Sequence, residues 1–568
     1  MKYRPLIILL AVFLAVGLLL LTQFGVSFSA AQPQLLGLTG QEMLALQSAN
    51  EQPPSQTDST IAYELLAKAE PDECYNGIGL PYPPGPPCET GKPKVNQAYI
   101  WGMTEHNGVI WFGTMANTMC LFGTDLVGQG PNENAYWVCE FGESQYSPPL
   151  AEKIGDWRPP HIYNYTPDSL VDVTPQDPLI NRTLGFRSAV SDGRLVIVAG
   201  PGLYTGVNFF YFNGDTGEYL GSYRNRLLNN IRKWVKVDGV LYTTVGLVDG
   251  RGAVLRWRGD SENLTHLNRF EVVGILDAEG AELALHEERL FVATWPNDSE
   301  SNLTRTTTLA GLYMSPVLPA GGLTRHDAKS WQKVWQVDNY EPDALIATTY
   351  GLGALASFDG YLYWGSMHVP LNALNVFYDT YGKPIDPAEQ LAATIGCSRA
   401  LAIFRGRNFG SDQQEAQLLY GQKNLYTYTP DTGWLLTPNN MGGVQGLYGL
   451  AGFGNIKNNY TWAMTVYHDD LYIGTMDWGT ITSVPTETLG IQADTSLGSD
   501  LYRFPSSSQP AVAENTDGFG NLANYGIRNM MVYNDAIYIG MANPMNLLTD
   551  ENDTGPKGGW ELIRVTAP

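Results

Sequence analysis

The stretch His468–Trp478, "HDDLYIGTMDW", places a polar turn before an alternating apolar run that ends on Gly474 and Thr475 and then breaks into Met476, Asp477 and Trp478. A two-residue polar turn followed by β-branched and aromatic residues marks the second strand of a tight hairpin. The same pattern recurs as "NGVIWFGTM" from Asn107, "DGRLVIVAG" from Asp192, "DGVLYTTVG" from Asp238, "EERLFVATW" from Glu287, "DGYLYWGSM" from Asp359 and "NDAIYIGMA" from Asn534. A further strand-like run precedes each turn, as in "YIWGMTEH" from Tyr99, "TWAMTVY" from Thr461 and "GIRNMMVY" from Gly526. After most there is a third, as in "YWVCEF" at Tyr136, "AVLRWR" at Ala253, "LAIFR" at Leu401, "LYRF" at Leu501 and "WELIRV" at Trp560. Each unit is therefore a small antiparallel meander.

One meander of three or four strands cannot cover its own faces, so repeated units must stack around a shared core. Turn spacings of 85, 46, 49, 72, 109 and 66 residues suit units of about 40–50 residues with insertions. Radial stacking makes the expected fold all-β: a seven-bladed β-propeller with an N-terminal extension. An eighth blade fits only in the gap from Asp359 to His468, most of which reads as one loop. The last unit lacks an outer strand, which N-terminal residues can supply. Composition agrees: 61 Gly, 35 Pro, 32 Tyr and 14 Trp with only 16% charged residues is a strand-and-turn mixture.

The repeat resembles the β-propeller superfamily from about residue 95 onward. "FFYFNGDTGEYLGSY" from Phe209 and "LYTYTPDTGWLL" from Leu425 resemble the D-x-x-T-G turns of quinoprotein-like propellers, without the adjacent cysteine pair of the quinone-binding alcohol dehydrogenases. "SFDGYLYW" from Ser357 resembles a sialidase Asp-box with Gly360 one position early. Neither resemblance implies an activity.

Residues 1–31 carry Lys2 and Arg4, an apolar run from Leu6 to Leu21 and small residues at Ser29, Ala30 and Ala31, the order of an export signal. Cleavage near Ala31 and retention as a membrane anchor are both open; either places the body outside the cytoplasm, secreted, periplasmic or membrane-anchored. Residues 32–94 read as a tether or strap, with one helix expected around "TIAYELLAKAE" from Thr60, and 95–568 as the propeller. Cys74 with Cys88 and Cys120 with Cys139 bracket short loops and read as disulfides, while Cys397 is left over as a buried small hydrophobe. A net charge of −23 argues against nucleic acid as a partner.

Mapped onto propeller geometry, Arg187, Arg232 and Arg528 fall near inner-strand starts, with Trp101 and Trp462 at the same level. Met115, Trp295, Met367 with His368, Met476 with Asp477 and Trp478, and Asn543 follow the second strands. One channel mouth lined by guanidinium and aromatic groups is expected, suited to a small anionic ligand or a glycan. The same positions also suit arginines bonded to neighbouring carboxylates and Trp and Met packed between blades. His106, His286 and His468, beside equivalent turns, read as solvated. "DENDTGPKGGWE" has the oxygen spacing of a calcium loop, with Asp550, Asn552, Thr554 and Glu561 as ligands, although Pro556 and Lys557 depart from an EF-hand; an acidic surface loop is the alternative.

Three functions fit. The first is an exported, non-catalytic propeller that binds a ligand, glycan or protein partner through its channel mouth and the long loops after Asp125, Glu143 and His368. The second is an exported enzyme, a hydrolase, lyase or quinoprotein-like oxidoreductase, in which the arginines hold an anionic substrate and His368 or Asp477 moves protons. The third is a structural subunit of an envelope or cell-surface assembly. No nucleophile elbow, zinc-binding HExxH or phosphate loop is present.

Overall fold

The computed structural model describes residues 38–43, 59–122, 131–140, 156–204, 206–297, 308–481, 497–549 and 557–567. The 1–31 segment, Asp125 and Glu143 lie outside them, and so do Asp550, Asn552 and Thr554.

The protein is mostly β and propeller-like, built from successive four-stranded antiparallel meanders. The first comprises Gln97–His106, Val109–Ala116, Ile162–Thr166 and Ser169–Asp172. Its third strand is therefore not the "YWVCEF" run, whose Val138–Cys139 instead pairs with Asn132–Glu133 in a separate short ladder. The second runs Ser188–Asp192, Leu195–Pro201, Val207–Asn213 and Tyr219–Asn225, and the third Leu228–Val237, Val240–Leu247, Gly252–Trp257 and Phe270–Leu276. The fourth comprises Glu279–His286, Arg289–Trp295, Gly311–Met314 and Gln332–Gln336, and the fifth Tyr350–Phe358, Tyr361–His368, Ile403–Arg407 and Glu415–Tyr420. The sixth is Asn458–Tyr467, Asp470–Asp477, Leu501–Phe504 and Val512–Asn515. The last is Gly526–Tyr533, Ala536–Ala542 and Glu561–Thr566, with Ala62–Lys68 as its outer strand.

The repeated turn signal works through backbone sign. Both turn residues have positive φ at Asn107-Gly108, Asp238-Gly239, Glu287-Glu288, Asp359-Gly360, His468-Asp469 and Asn534-Asp535. Such turns match the right-handed twist of the strands they join, which is why Asn, Asp and Gly recur there.

Two expectations fail. Residues 62–68 form a strand where the Ala/Glu/Leu/Lys composition predicts a helix. A helix of two turns is marginal alone, whereas the strand satisfies the open edge of Glu561–Thr566. The gap after Asp359 is not a plain loop: Asn372–Tyr381 and Pro387–Cys397 are helices, the second capped by Asp386 with Pro387 opening it. Their apolar faces pack with the extra hairpin Asn424–Thr429/Gly433–Pro438, through Phe377 on Trp434 and Tyr428. That hairpin is the second D-x-x-T-G-like copy, and it lies beside the fifth meander rather than inside it.

Both expected disulfides are present, Cys74–Cys88 and Cys120–Cys139, and they suggest an extracellular or otherwise oxidising environment. Cys397 is free and buried, and burial pushes its thiol up to about 12. Among the described residues no helix is long and apolar enough to cross a membrane.

Candidate functional site

The first strand of most meanders carries a β-bulge near its start. The ladder shifts between Ile100 and Gly102, Ile231 and Trp234, Gly280 and Glu282, Leu352 and Leu355, Thr461 and Ala463, and Ile527 and Asn529. A bulge frees one residue from the pleat and re-aims its side chain. The residues at this level are Trp101, Arg232, Ala281, Gly353, Trp462 and Arg528, with Arg187 just before its strand. Each stands six positions before the first positive-φ residue of its hairpin turn. The three arginines and two tryptophans are thus equivalent by register, while Ala281 and Gly353 leave space. Gly353 is also needed for packing, since a Cβ there would stand 2.0 Å from the Thr461 carbonyl oxygen.

Arg187, Arg232 and Arg528 line one cavity of about 50 Å³, together with Glu282 and Trp462. Each guanidinium lies over a tryptophan of an adjoining meander: Arg187 over Trp101 at 5.1 Å, Arg232 over Trp295 at 5.0 Å and Arg528 over Trp462 at 5.6 Å. Arg232 is 8% exposed and Arg528 7%, while Arg187 keeps partial exposure. The Nε of all three lacks a hydrogen-bond partner, and among the described residues none of them forms an ion pair. Burial, then repulsion from Arg232 and partial relief by Glu282, lowers Arg528 to about 9. Arg187 is likewise held well below the ordinary guanidinium range by burial and by the other two arginines, and Arg232 is lowered by burial against the pull of Glu279 and Glu282.

Three other buried cations are paired with carboxylates. Lys94 stands 2.9 Å from Asp156, and Arg158 bonds Glu73 at 2.7 Å and Asp156 at 3.0 Å, in a network around Tyr82 that pins the Cys74–Cys88 loop to the first meander. Arg399 holds Glu341 at 2.7 and 3.0 Å. Arg405, also buried, bonds only the uncharged Gln417 and the Ser507 carbonyl among the described residues. The arginine cavity differs in that three guanidiniums converge there with no hydrogen-bonded or ion-paired partner among the described residues, and a buried charge without a partner costs several kcal/mol.

The expected single mouth is divided. The arginine cavity continues along the first strands toward the hairpin turns, through Lys233, Ala463, Met464, Asn529 and Met530. At the strand starts, Tyr99, Trp101, Tyr460, Trp462, Tyr525, Met115, Met367 and Met476 form one apolar cluster, with Trp295 and Trp478 packed against it. These side chains pack on one another at the strand starts and leave the arginine cavity on the side toward the hairpin turns.

The remaining predicted residues lie elsewhere. His368 and Trp478 line a second cavity of about 300 Å³. Burial and the neighbouring Arg399 bring His368 down to about 3, so its imidazole is neutral at ordinary pH. Asp477 accepts hydrogen bonds from Asn455 Nδ2 (2.8 Å) and the Gly479 N–H (2.5 Å) and holds the loop after its strand. It also helps burial push the neighbouring Asp500 carboxyl up to about 7, although Asp500 accepts from Asn458 (2.6 Å) and Tyr502 (3.0 Å). Asn543 is fully buried, donating to Asn524 and to the Lys557 carbonyl. Of the calcium-loop set only Glu561 is described, and its carboxylate accepts from Asn521 and Asn524 (2.7 and 2.5 Å). Among the described residues no group of three or more His, Cys, Asp or Glu is placed to hold a metal.

His106 and His286 are not solvated turn residues: both are 5% exposed. His106 bonds Ser191 and Asp215 of the next meander, and His286 bonds Ser357. The tight turn brings its flanking residue against the adjoining sheet, and the imidazole then bridges the two. His468 does remain partly exposed, paired with Asp535.

No protein-family model matches this chain, and no curated protein matches it. Structural similarity is found to an alpha-L-arabinofuranosidase (CtGH43) from Clostridium thermocellum, at 11% identity and TM-score 0.26 over 61% of this chain and 94% of that one. A Mycobacterium tuberculosis puromycin-hydrolyzing peptidase is similar at 10% identity and TM-score 0.34, over 82% of this chain and 60% of the peptidase. The computationally designed Ika8 protein gives 7% identity and TM-score 0.31, over 84% of this chain and 98% of its own. No activity transfers at such distances, and the propeller-like description rests on the strand pairing.

Proposed function

We propose that this chain is an exported, seven-bladed β-propeller, closed by its N-terminal strand, that binds an anionic group through Arg187, Arg232 and Arg528. Support for the blade count and closure comes from two features. The first strand of each meander contacts that of the next, the last returning to the first, and Ala62–Lys68 completes the last sheet. The single observation that carries the binding role is three convergent guanidiniums that, among the described residues, have no hydrogen-bonded or ion-paired partner. At an effective dielectric near 20, one anion at about 4 Å gains roughly 4 kcal/mol from each cation it meets. A cavity of about 50 Å³ holds a compact group of a few heavy atoms, since a water needs about 10–15 Å³ of such space. The ligand therefore enters by a carboxylate, sulfate or phosphate headgroup, which planar guanidinium forks match.

Binding is favoured over catalysis by the separation of groups: His368 and Asp477, the expected proton carriers, stand apart from the arginine cavity. The test is thermal unfolding in sodium sulfate, sodium phosphate and sodium succinate, each against sodium chloride at constant ionic strength. At least one of these anions is expected to stabilise the protein saturably, with affinity reduced about tenfold or more in Arg187→Gln and in Arg232→Gln. Equal anion effects on all three proteins would remove the site from consideration.

A further inference from the structure

The second cavity has a different chemistry. Its apolar lining includes Val369, Leu371, Leu374 and half-buried Trp478, and its polar lining includes His368 and Asn459. Its volume of about 300 Å³ is at the lower end of small-molecule sites.

The hydrogen bonds around His368 decide what it presents. Ser366, fully buried, accepts the Ala402 N–H at 2.8 Å, and its hydroxyl lies 2.8 Å from His368 Nε2. A buried hydroxyl needs an acceptor for its proton, and among the described residues Ser366 Oγ has no other acceptor. Ser366 Oγ–H therefore donates to Nε2, and the proton of the neutral ring sits on Nδ1. His368 is 7% exposed and packs edge to face with Tyr350 at 4.2 Å, and among the described residues Nδ1 has no hydrogen-bond partner. Asn459 donates its Nδ2 to the Arg399 carbonyl at 2.7 Å, which leaves Oδ1 as an acceptor.

The two cations of the lining are not available to an anion. Arg399 is spent on Glu341 and on the carbonyls of Gly396, Ser398 and Tyr426, and Lys457 is itself engaged. Thr349, Thr394 and Ser398 also line the cavity, with their hydroxyl protons given to the Ile346, Gln390 and Thr394 carbonyls. The cavity thus offers the Nδ1–H donor of His368, the Oδ1 acceptor of Asn459, an indole and an aliphatic wall. A hydroxyl both donates and accepts, and aliphatic ring faces pack on indole.

We infer that this cavity is a binding site for an uncharged, hydroxyl-bearing ring of monosaccharide size, independent of the arginine site. Trp478 and the aliphatic wall take the ring face, and His368 Nδ1–H and Asn459 Oδ1 take adjacent hydroxyls. Saturation-transfer NMR and tryptophan fluorescence with a panel of neutral hexoses and pentoses test it. At least one sugar is expected to bind saturably in the millimolar range, weakened about tenfold or more in Trp478→Ala and in Leu374→Trp, which fills the cavity, and unchanged in Arg528→Gln. Circular dichroism of each variant checks folding. Three results would overturn the inference: no saturable binding to the folded wild-type protein, binding insensitive to both cavity variants, or binding lost in Arg528→Gln.

Discussion

Replacing Arg528 by Met should stabilise the ligand-free protein while removing its response to anions. In the structure Arg528 is buried beside Arg232, with its Nε unpartnered. Its displacement from 12.5 to about 9 means that folding works against a charged guanidinium at every pH below about 9. At 1.36 kcal/mol per pH unit that opposition is at most about 5 kcal/mol. Met keeps most of the apolar stem but gives up the contact with Trp462, worth about 0.5–2 kcal/mol. It also gives up the attraction to Glu282. The remainder is a net gain of about 1–3 kcal/mol, or a rise of a few degrees in apparent Tm. Thermal unfolding at one scan rate, with and without sulfate, gives both readings, because a chain of this size need not unfold reversibly. Wild type should be less stable in chloride and should gain with sulfate. Arg528→Met should be more stable in chloride and should gain little. A loss of stability in the variant would show that Arg528 holds adjoining meanders together, and a ligand role for the unpaired cations would fall with it.

The Asp500 carboxyl makes stability depend on pH. Its folded value near 7 lies above its unfolded value of 3.8, so the folded state holds the proton more tightly. Its contribution is fully present below about pH 4 and is lost as pH rises toward 7. The loss is bounded by about 4 kcal/mol, and Asp500→Asn should flatten the stability profile between pH 5 and 8 in denaturant titrations; an unchanged slope would place that dependence on other groups. The outer strand Ala62–Lys68 offers a third test. In an antiparallel ladder adjacent residues point their N–H groups to opposite sides, so Glu64→Pro with Leu65→Pro must delete one ladder bond. About 1–3 kcal/mol of stability should go, and limited proteolysis should cut faster near residue 65. Unaltered cutting would mean that the strand does not secure the last sheet.

The meanders and the arginine register were legible in the sequence because both are short-range. A hairpin turn needs positive φ at neighbouring positions, strand faces alternate every two residues, and Arg187, Arg232 and Arg528 sit at a constant distance from such turns. The segment at 62–68 misled because its partner edge lies some 500 residues away, and a long-range ladder overrides local helix preference. His106 and His286 misled for a related reason, since the groups that bury them belong to the adjoining meanders.

The chain by itself determined the all-β repeat, the disulfide pairs and the shared register of three cations. Only the tertiary structure decided that, among the described residues, those cations form no ion pair, and that His368 and Trp478 share a different cavity. The physical reason is that compensation of a buried charge depends on atoms within a few ångströms, supplied by strands and loops hundreds of residues apart. No local pattern carries that distance.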